Sequence, residues 1–178
     1  DEREGTASAA RIDLAHVHDP ACRAVIDCIA ASGLVVAAFD ITSDIGIPTC
    51  SALLLDRPGA YRSMGYFWGF GTHLAPEVAL SRALTEAAQC RLTEVSGARE
   101  DIAPEDFSRN RDDALLAALV AEIERTPATA SLARWAPRVT SCVEGDLAVV
   151  LDGLRRADIQ SAAAVDLTRA ELGVPVVK

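Results

Sequence analysis

Residues 76–97 read Pro76-Glu77-Val78-Ala79-Leu80-Ser81-Arg82-Ala83-Leu84-Thr85-Glu86-Ala87-Ala88-Gln89-Cys90-Arg91-Leu92-Thr93-Glu94-Val95-Ser96-Gly97. Proline at a first helical position and glycine just past a last one predict a helix over about 76–95. At about 100° per residue, Arg82, Glu86, Gln89 and Thr93 share one stripe, and Leu80, Leu84, Ala87 and Ala88 fall on the opposite side. The helix thus has an apolar face to bury and a polar face that can bind or react. On periodicity alone, such a polar stripe is the solvated face of a surface helix.

Upstream, residues 10–17 (ARIDLAHV) alternate apolar and polar and predict a strand. Asp19-Pro20 supplies a cap and a first-turn proline for a helix over about 20–32, which buries Val25, Ile26 and Ile29 and stops at Gly33. The apolar run 34–40 (LVVAAFD) suits a strand buried on both faces, and 49–56 (TCSALLLD) predicts another. Between them, the Asp40 to Pro48 stretch reads as a turn. Gly65-Tyr66-Phe67-Trp68-Gly69-Phe70-Gly71-Thr72-His73 reads as a glycine-rich loop feeding the helix at Pro76, a recurrent setting for anions because free N–H groups and the helix dipole converge there.

Downstream, 98–110 is a polar loop. Leu115, Leu116, Leu119, Val120 and Ile123 recur at helical spacing in 111–125. A loop with Pro127 and Pro137 leads to a helix or helix-like turn at 144–156, then a strand at 159–168 and the start of another at 174–178. Alternating strands and helices predict an α/β or α+β class, with a mixed sheet packed against helices in a single domain.

Composition narrows the function. The 178 residues are half apolar, with Lys+Arg 17 against Asp+Glu 26 and a formal net charge of -9. This balance repels phosphate backbones, so general nucleic-acid binding is not expected. Lys178 is the sole lysine; the remaining cations are arginines, suited to bidentate contact with carboxylate or phosphate. Cys22, Cys28, Cys50, Cys90 and Cys142 are odd in number and form no CxxC, which points to core residues of a reducing compartment and not to a disulfide or zinc framework. The longest apolar run, Ile29 to Phe39, is shorter than the roughly 20 residues a bilayer requires. With no signal-peptide pattern, the cytoplasm is the expected location and no membrane partner is expected.

Gly69-Phe70-Gly71-Thr72-His73-Leu74-Ala75-Pro76-Glu77, followed by Ala79-Leu80-Ser81-Arg82-Ala83-Leu84-Thr85-Glu86-Ala87-Ala88-Gln89-Cys90-Arg91, closely resembles the YcaO family. That family carries a helix of the form Ala-Leu-x-Arg-Ala-Leu-x-Glu-x-x-Gln-x-Arg, and every fixed position is matched. The resemblance extends through Val95-Ser96-Gly97-Ala98-Arg99-Glu100-Asp101, upstream through Asp40-Ile41-Thr42-Ser43-Asp44-Ile45-Gly46-Ile47-Pro48, and on to Pro175-Val176-Val177-Lys178, nearly the whole chain. The Ser-Gly-Ala-Arg-Glu-Asp run looks most like members that work beside a TfuA partner.

The resemblance implies an enzyme that uses ATP and Mg2+ to phosphorylate a peptide amide oxygen after a nucleophile has added to the carbonyl. A Cys, Ser or Thr nucleophile gives an azoline, and a sulfide donor gives a thioamide, the product associated with TfuA partners. Phosphoryl transfer needs carboxylates for magnesium and cationic or amide donors for phosphate. Glu86 and Glu77 are thus the candidate magnesium ligands. Gln89 is expected to position nucleotide or metal-bound water, and Arg82 to hold phosphate or pair with Glu86 one turn away.

Glu77 lies some 60° around the helix on the apolar side of Leu80, so it reaches the site only if the first turn faces the cleft; otherwise it is an acid favoured by the dipole. His73 could contact phosphate or substrate, or make one backbone hydrogen bond. Arg99 and Asp101 are further candidates near the site. Arg91, on the apolar side, needs a buried partner and predicts an ion pair. Asp40 and Asp44 read as turn caps, and His16 and His18 as surface residues.

Family members carry an upstream Glu-x-x-Glu-Arg motif and a proline-containing C-terminal segment, neither of which is found here. The chain starts without Met and stops in an apolar run, so it is expected to be a piece of a longer protein, a partial domain with about half an active site, inactive alone. Apolar surface left uncovered predicts self-association as a homo-oligomer. The alternative to a parent enzyme is a non-catalytic YcaO-like module that binds a partner protein or leader peptide through an exposed strand edge.

Overall fold

A computed structural model describes residues 9–61, 63–97 and 111–178. Residues through Val139 form one compact unit and Thr140–Lys178 a second.

In the first unit, four strands pair in the order β1 (Ala10–Arg11), β2 (Val35–Asp40), β3 (Thr49–Leu55) and β4 (Tyr66–Thr72). Every pairing in this sheet is antiparallel, and a lone parallel bridge joins Ile12 to Ala130. The class is therefore α+β. Register places Phe39, Ser51 and Phe70 in one cross-strand row, and Ala37, Leu53 and Trp68 in another.

Helices α1 (Pro20–Ala31) and α2 (Pro76–Ser96) cover one face of the sheet, and α3 (Asp113–Arg125) packs against the other. This double cover explains the unbroken apolar run in β3: Ala52 and Leu54 join the α1/α2 side, while Leu53 and Leu55 join the α3 side. Leu80 and Leu84 of α2 are wholly buried, each stabilising the fold by about 1.5–3 kcal/mol relative to exposure.

Helix ends follow their local signals. Asp19 accepts a hydrogen bond from the Cys22 amide at 2.8 Å with Pro20 behind it, and Gly97 closes α2 in the left-handed conformation. Asp112 caps α3 by accepting from the amides of Ala114 and Leu115.

Three expectations are corrected. Cys28, Cys90 and Cys142 are exposed and are not core residues; only Cys22 and Cys50 are buried. Residues 10–17 do not make one strand: Asp13 accepts from the Ala15 amide and turns the chain into a single 3-10 turn at Leu14–His16. The 65–73 stretch is not a loop but supplies strand β4, whose glycines meet α2. An anion cradle made by a glycine loop is therefore absent from this stretch.

The second unit contains α4 (Val143–Arg156), whose first turn is acidic and last turn basic, in keeping with the helix dipole. After it, isolated antiparallel bridges join Asp166 to Val177 and Arg169 to Val174 in a short ribbon; the strand expected over 159–168 is reduced to the single bridge at Asp166. Val165, Leu167, Val174 and Val176 of this ribbon are about half exposed. Among the described residues, no helix is long and apolar enough to cross a membrane.

Candidate active site at the free edge of strand β4

The site begins with a close approach between helix and strand. Ala79, Ala83 and Ala87, four residues apart, form a stripe of small, fully buried side chains on α2. Opposite them lie Gly69 and Gly71. A Cβ on Gly69 would sit 2.2 Å from both the Ala83 carbonyl oxygen and the Ala87 amide nitrogen; one on Gly71 would sit 2.1 Å from the Ala79 carbonyl oxygen. With both sides small, α2 rests on the strand backbone itself.

That proximity brings the polar stripe of α2 to the outer margin of the sheet. β4 pairs with β3 alone, and its alternate amides face away from it. The outward amide of Phe70 donates to Glu86 Oε2 at 2.5 Å. Around this bond is an open hollow of about 270 Å³ lined by Phe70, Arg82, Thr85, Glu86 and Gln89.

Arg82, Glu86 and Gln89 are thus brought together at one solvent-accessible place. The one-turn Arg82–Glu86 pair does not form among the described residues; Glu86 turns to the Phe70 amide instead, and Arg82 lines the hollow beside it. Thr85 directs its hydroxyl back to the carbonyls of Ser81 and Arg82.

The remaining candidates lie elsewhere. Nine residues before Glu86, Glu77 is half a turn away around the helix and does not line the hollow. Its carbonyl accepts the Cys22 thiol at 3.0 Å, and its charge is among those that raise that thiol. Among the described residues, the Glu77 and Glu86 carboxylates therefore do not converge. His73 Nδ1 accepts from the Ala75 amide at 3.0 Å, which places the proton of the neutral ring on Nε2. It thereby supports the entry to α2, whose N-cap, Ala75, has no capping side chain. Arg99 and Asp101 lie outside the described residues.

The sequence reading missed two anchors. Asp40 accepts from the Thr42 amide and from Trp135 Nε1 at 2.8 Å, and forms an ion pair with Arg134 at 3.2 Å. Burial alone would raise its carboxyl, but these bonds and the Arg134 charge outweigh it and hold the group below the ordinary carboxylate range. Asp40 is thus more than a turn cap: it ties the 131–135 segment to the sheet, with Arg134 lying 4.9 Å over the Trp135 ring. Only the partner far along the chain gives this away. The second anchor is Asp56, which accepts from the amides of Met64 and Gly65 and is the partner of Arg91 at 3.4 Å.

The donor set fits a metal-bound nucleotide. Mg2+ takes hard oxygen ligands and often uses one or two carboxylates together with phosphate and water. Glu86 Oε1 and the Gln89 amide oxygen are such donors, and Arg82 is a phosphate partner beside them. Among the described residues, no three His, Cys, Asp or Glu side chains cluster to hold a metal ion, so the hollow is not a closed protein cage.

Comparison with known proteins gives a consistent result. The model of the family YcaO cyclodehydratase, ATP- and Mg2+-binding, matches residues 2–178. A protein from Methanothermobacter thermautotrophicus is 38% identical over 152 residues, covering 83% of this chain and 38% of that protein. The uncharacterized protein in the tfuA 3′ region of Rhizobium leguminosarum bv. trifolii is 38% identical over 104 residues, 56% of this chain and 24% of that one. The chain thus spans less than half the length of these relatives. Among solved structures, a heterocyclase in complex with substrate and cofactor superposes with a TM-score of 0.71 at 20% identity, over 96% of this chain and 22% of that one. YcaO from Methanopyrus kandleri bound with AMPPCP and Mg2+ gives 0.63 at 20% identity, over 96% and 44%. At these identities the structures establish the shared fold, and the family match over nearly all residues establishes the rest: this chain belongs to the YcaO family, whose cofactors are ATP and Mg2+.

Proposed function

We propose that this chain carries one wall of the nucleotide and magnesium site of an ATP-dependent enzyme that activates peptide backbone amides. The observation that carries this reading is the convergence of Arg82, Glu86 and Gln89 in one open hollow at the edge of β4. ATP with Mg2+, when bound, supplies the phosphoryl group that turns an amide oxygen into a leaving group. In this reading, Glu86 Oε1 offers a hard anionic oxygen to the metal and Arg82 offsets phosphate charge. Gln89 orients nucleotide or metal-bound water through its amide. Further metal ligands come from polypeptide beyond the described residues, since the hollow provides a single carboxylate.

The substrate in this proposal is a ribosomally made peptide or protein, and the product an azoline or a thioamide. The relative in the tfuA 3′ region supports the thioamide branch and a TfuA-type partner. Mass spectrometry of the modified peptide separates the two, because sulfur-for-oxygen exchange adds mass and loss of water removes it. Self-association belongs to the same reading: the half-exposed row Val165, Leu167, Val174 and Val176 is apolar surface that a second copy would cover. Sedimentation at rising concentration tests it, and a monomer throughout would refute it.

Calorimetric titration of ATP with Mg2+ into the intact protein tests the central claim, using Glu86→Gln and Gln89→Ala variants. Binding that is lost in both supports the assignment. Absence of binding by the unmutated intact protein would sink it and leave a partner-binding module as the working function.

A further inference from the structure

Glu86 is not held by its own helix. Its neighbour one turn earlier, Arg82, is the obvious partner, yet the carboxylate reaches across to the strand and accepts from the Phe70 amide at 2.5 Å. This amide belongs to an edge strand and faces away from β3, so it takes no part in the sheet's ladder. An exposed edge donor ordinarily bonds to water; here it is matched to one side chain. The approach that makes this possible rests on Gly69 and Gly71, which flank Phe70 and have no room for a Cβ beneath α2.

We propose that the Phe70 backbone amide is a positioning group for Glu86: it engages Oε2 and presents Oε1 alone to the hollow. The inference rests on the assignment of Glu86 to the metal side of the site. Its physical content is selectivity between the two oxygens. A carboxylate with both oxygens free rotates about its terminal torsion and meets a cation in several ways; one oxygen held by an amide leaves a single-oxygen ligand of defined direction, the usual work of a partner behind a metal ligand. The Phe70 ring, about half exposed and stacked against Trp68 with centroids 6.5 Å apart, lies on the other face of the sheet.

The test compares Phe70→Pro with Phe70→Ala in the intact protein. Both lose the ring, but only the proline variant loses the N–H, and an outward edge position is where proline removes no ladder bond. The readout is Mn2+ binding in the presence of ATP, followed by electron paramagnetic resonance. The expected result is an affinity roughly tenfold weaker for Phe70→Pro than for Phe70→Ala, with Glu86→Gln weaker than both. Equal affinities of the proline and alanine variants, with Glu86→Gln still impaired, would overturn the positioning role and leave the metal assignment standing. Unchanged binding by Glu86→Gln would overturn the assignment beneath it.

Hydrogen exchange provides a second arm that does not need the proline variant to fold. The Phe70 amide proton is expected to be protected in the unmutated protein and to lose that protection in Glu86→Ala, while those of Trp68 and Thr72 keep their rates. An unprotected Phe70 amide in the unmutated protein would overturn the proposal.

Discussion

Gly71 lies directly under Ala79: a Cβ on the glycine would come within 2.1 Å of the alanine carbonyl oxygen and 2.7 Å of the Ala83 amide nitrogen. Both obstacles are backbone, so no rotamer change relieves the clash. The helix that carries the candidate site is held against its strand by the absence of a side chain.

Gly71→Ala is therefore expected to destabilise the first unit by about 3 kcal/mol, the upper part of the range for overpacking, and Gly69→Ala by a similar amount. Chemical denaturation checks this. An unchanged midpoint for either variant would show that α2 can lift away at little cost.

Asp56→Ala is expected to cost about 2 kcal/mol, because two amides, Met64 and Gly65, lose a charged acceptor at a buried position. Arg91→Ala should cost less than half of that, since its contact with Asp56 is long, 3.4 Å, and the arginine is partly exposed. Equal losses in the two variants would mean that the ion pair, and not the amides, is what Asp56 contributes.

Asp40 makes stability depend on acidity in a definite direction. Its folded carboxyl is held below the ordinary value of 3.8, so its contribution is complete above that value and fades as the pH falls through the lower folded value. Asp40→Ala should lower stability by about 2 kcal/mol at neutral pH, and the difference from the unmutated protein should shrink below pH 3.8. Urea unfolding at several pH values measures it; a constant difference would be inconsistent with an ionised Asp40.

Thiol reactivity should fall into two classes. Cys28, Cys90 and Cys142 are exposed, whereas burial pushes Cys22 and Cys50 up to about 12. A disulfide reagent at mildly alkaline pH should modify three thiols quickly and the other two only on unfolding. Fast labelling of Cys50 in the folded protein would contradict the packing of β3 under α2.

The ends of α2 were legible because Pro76 and Gly97 act within one turn of where they stand. The polar stripe was legible because its helical periodicity repeats over about three turns, and it did bring Arg82, Glu86 and Gln89 to one hollow. Strand β4 was misread because two glycines in seven residues resemble a loop, and nothing local announces that a helix will need their missing side chains. Glu77 was open for a related reason. Its angular position was evident, but whether the first turn faces a cleft or α1 depends on Cys22, 55 residues away in the chain.

The sequence by itself determined the helix boundaries, which side of α1, α2 and α3 is buried, and the string of residues that marks the family, since these follow from near-neighbour sterics and periodicity. The tertiary structure alone decided that Glu86 turns from Arg82 to the Phe70 amide, that Gly69 and Gly71 lie beneath Ala79, Ala83 and Ala87, and that Asp40 meets Trp135 across 95 positions. Each of these depends on the distance and register between elements, which arise when the sheet and α2 pack and are encoded in no single stretch of chain.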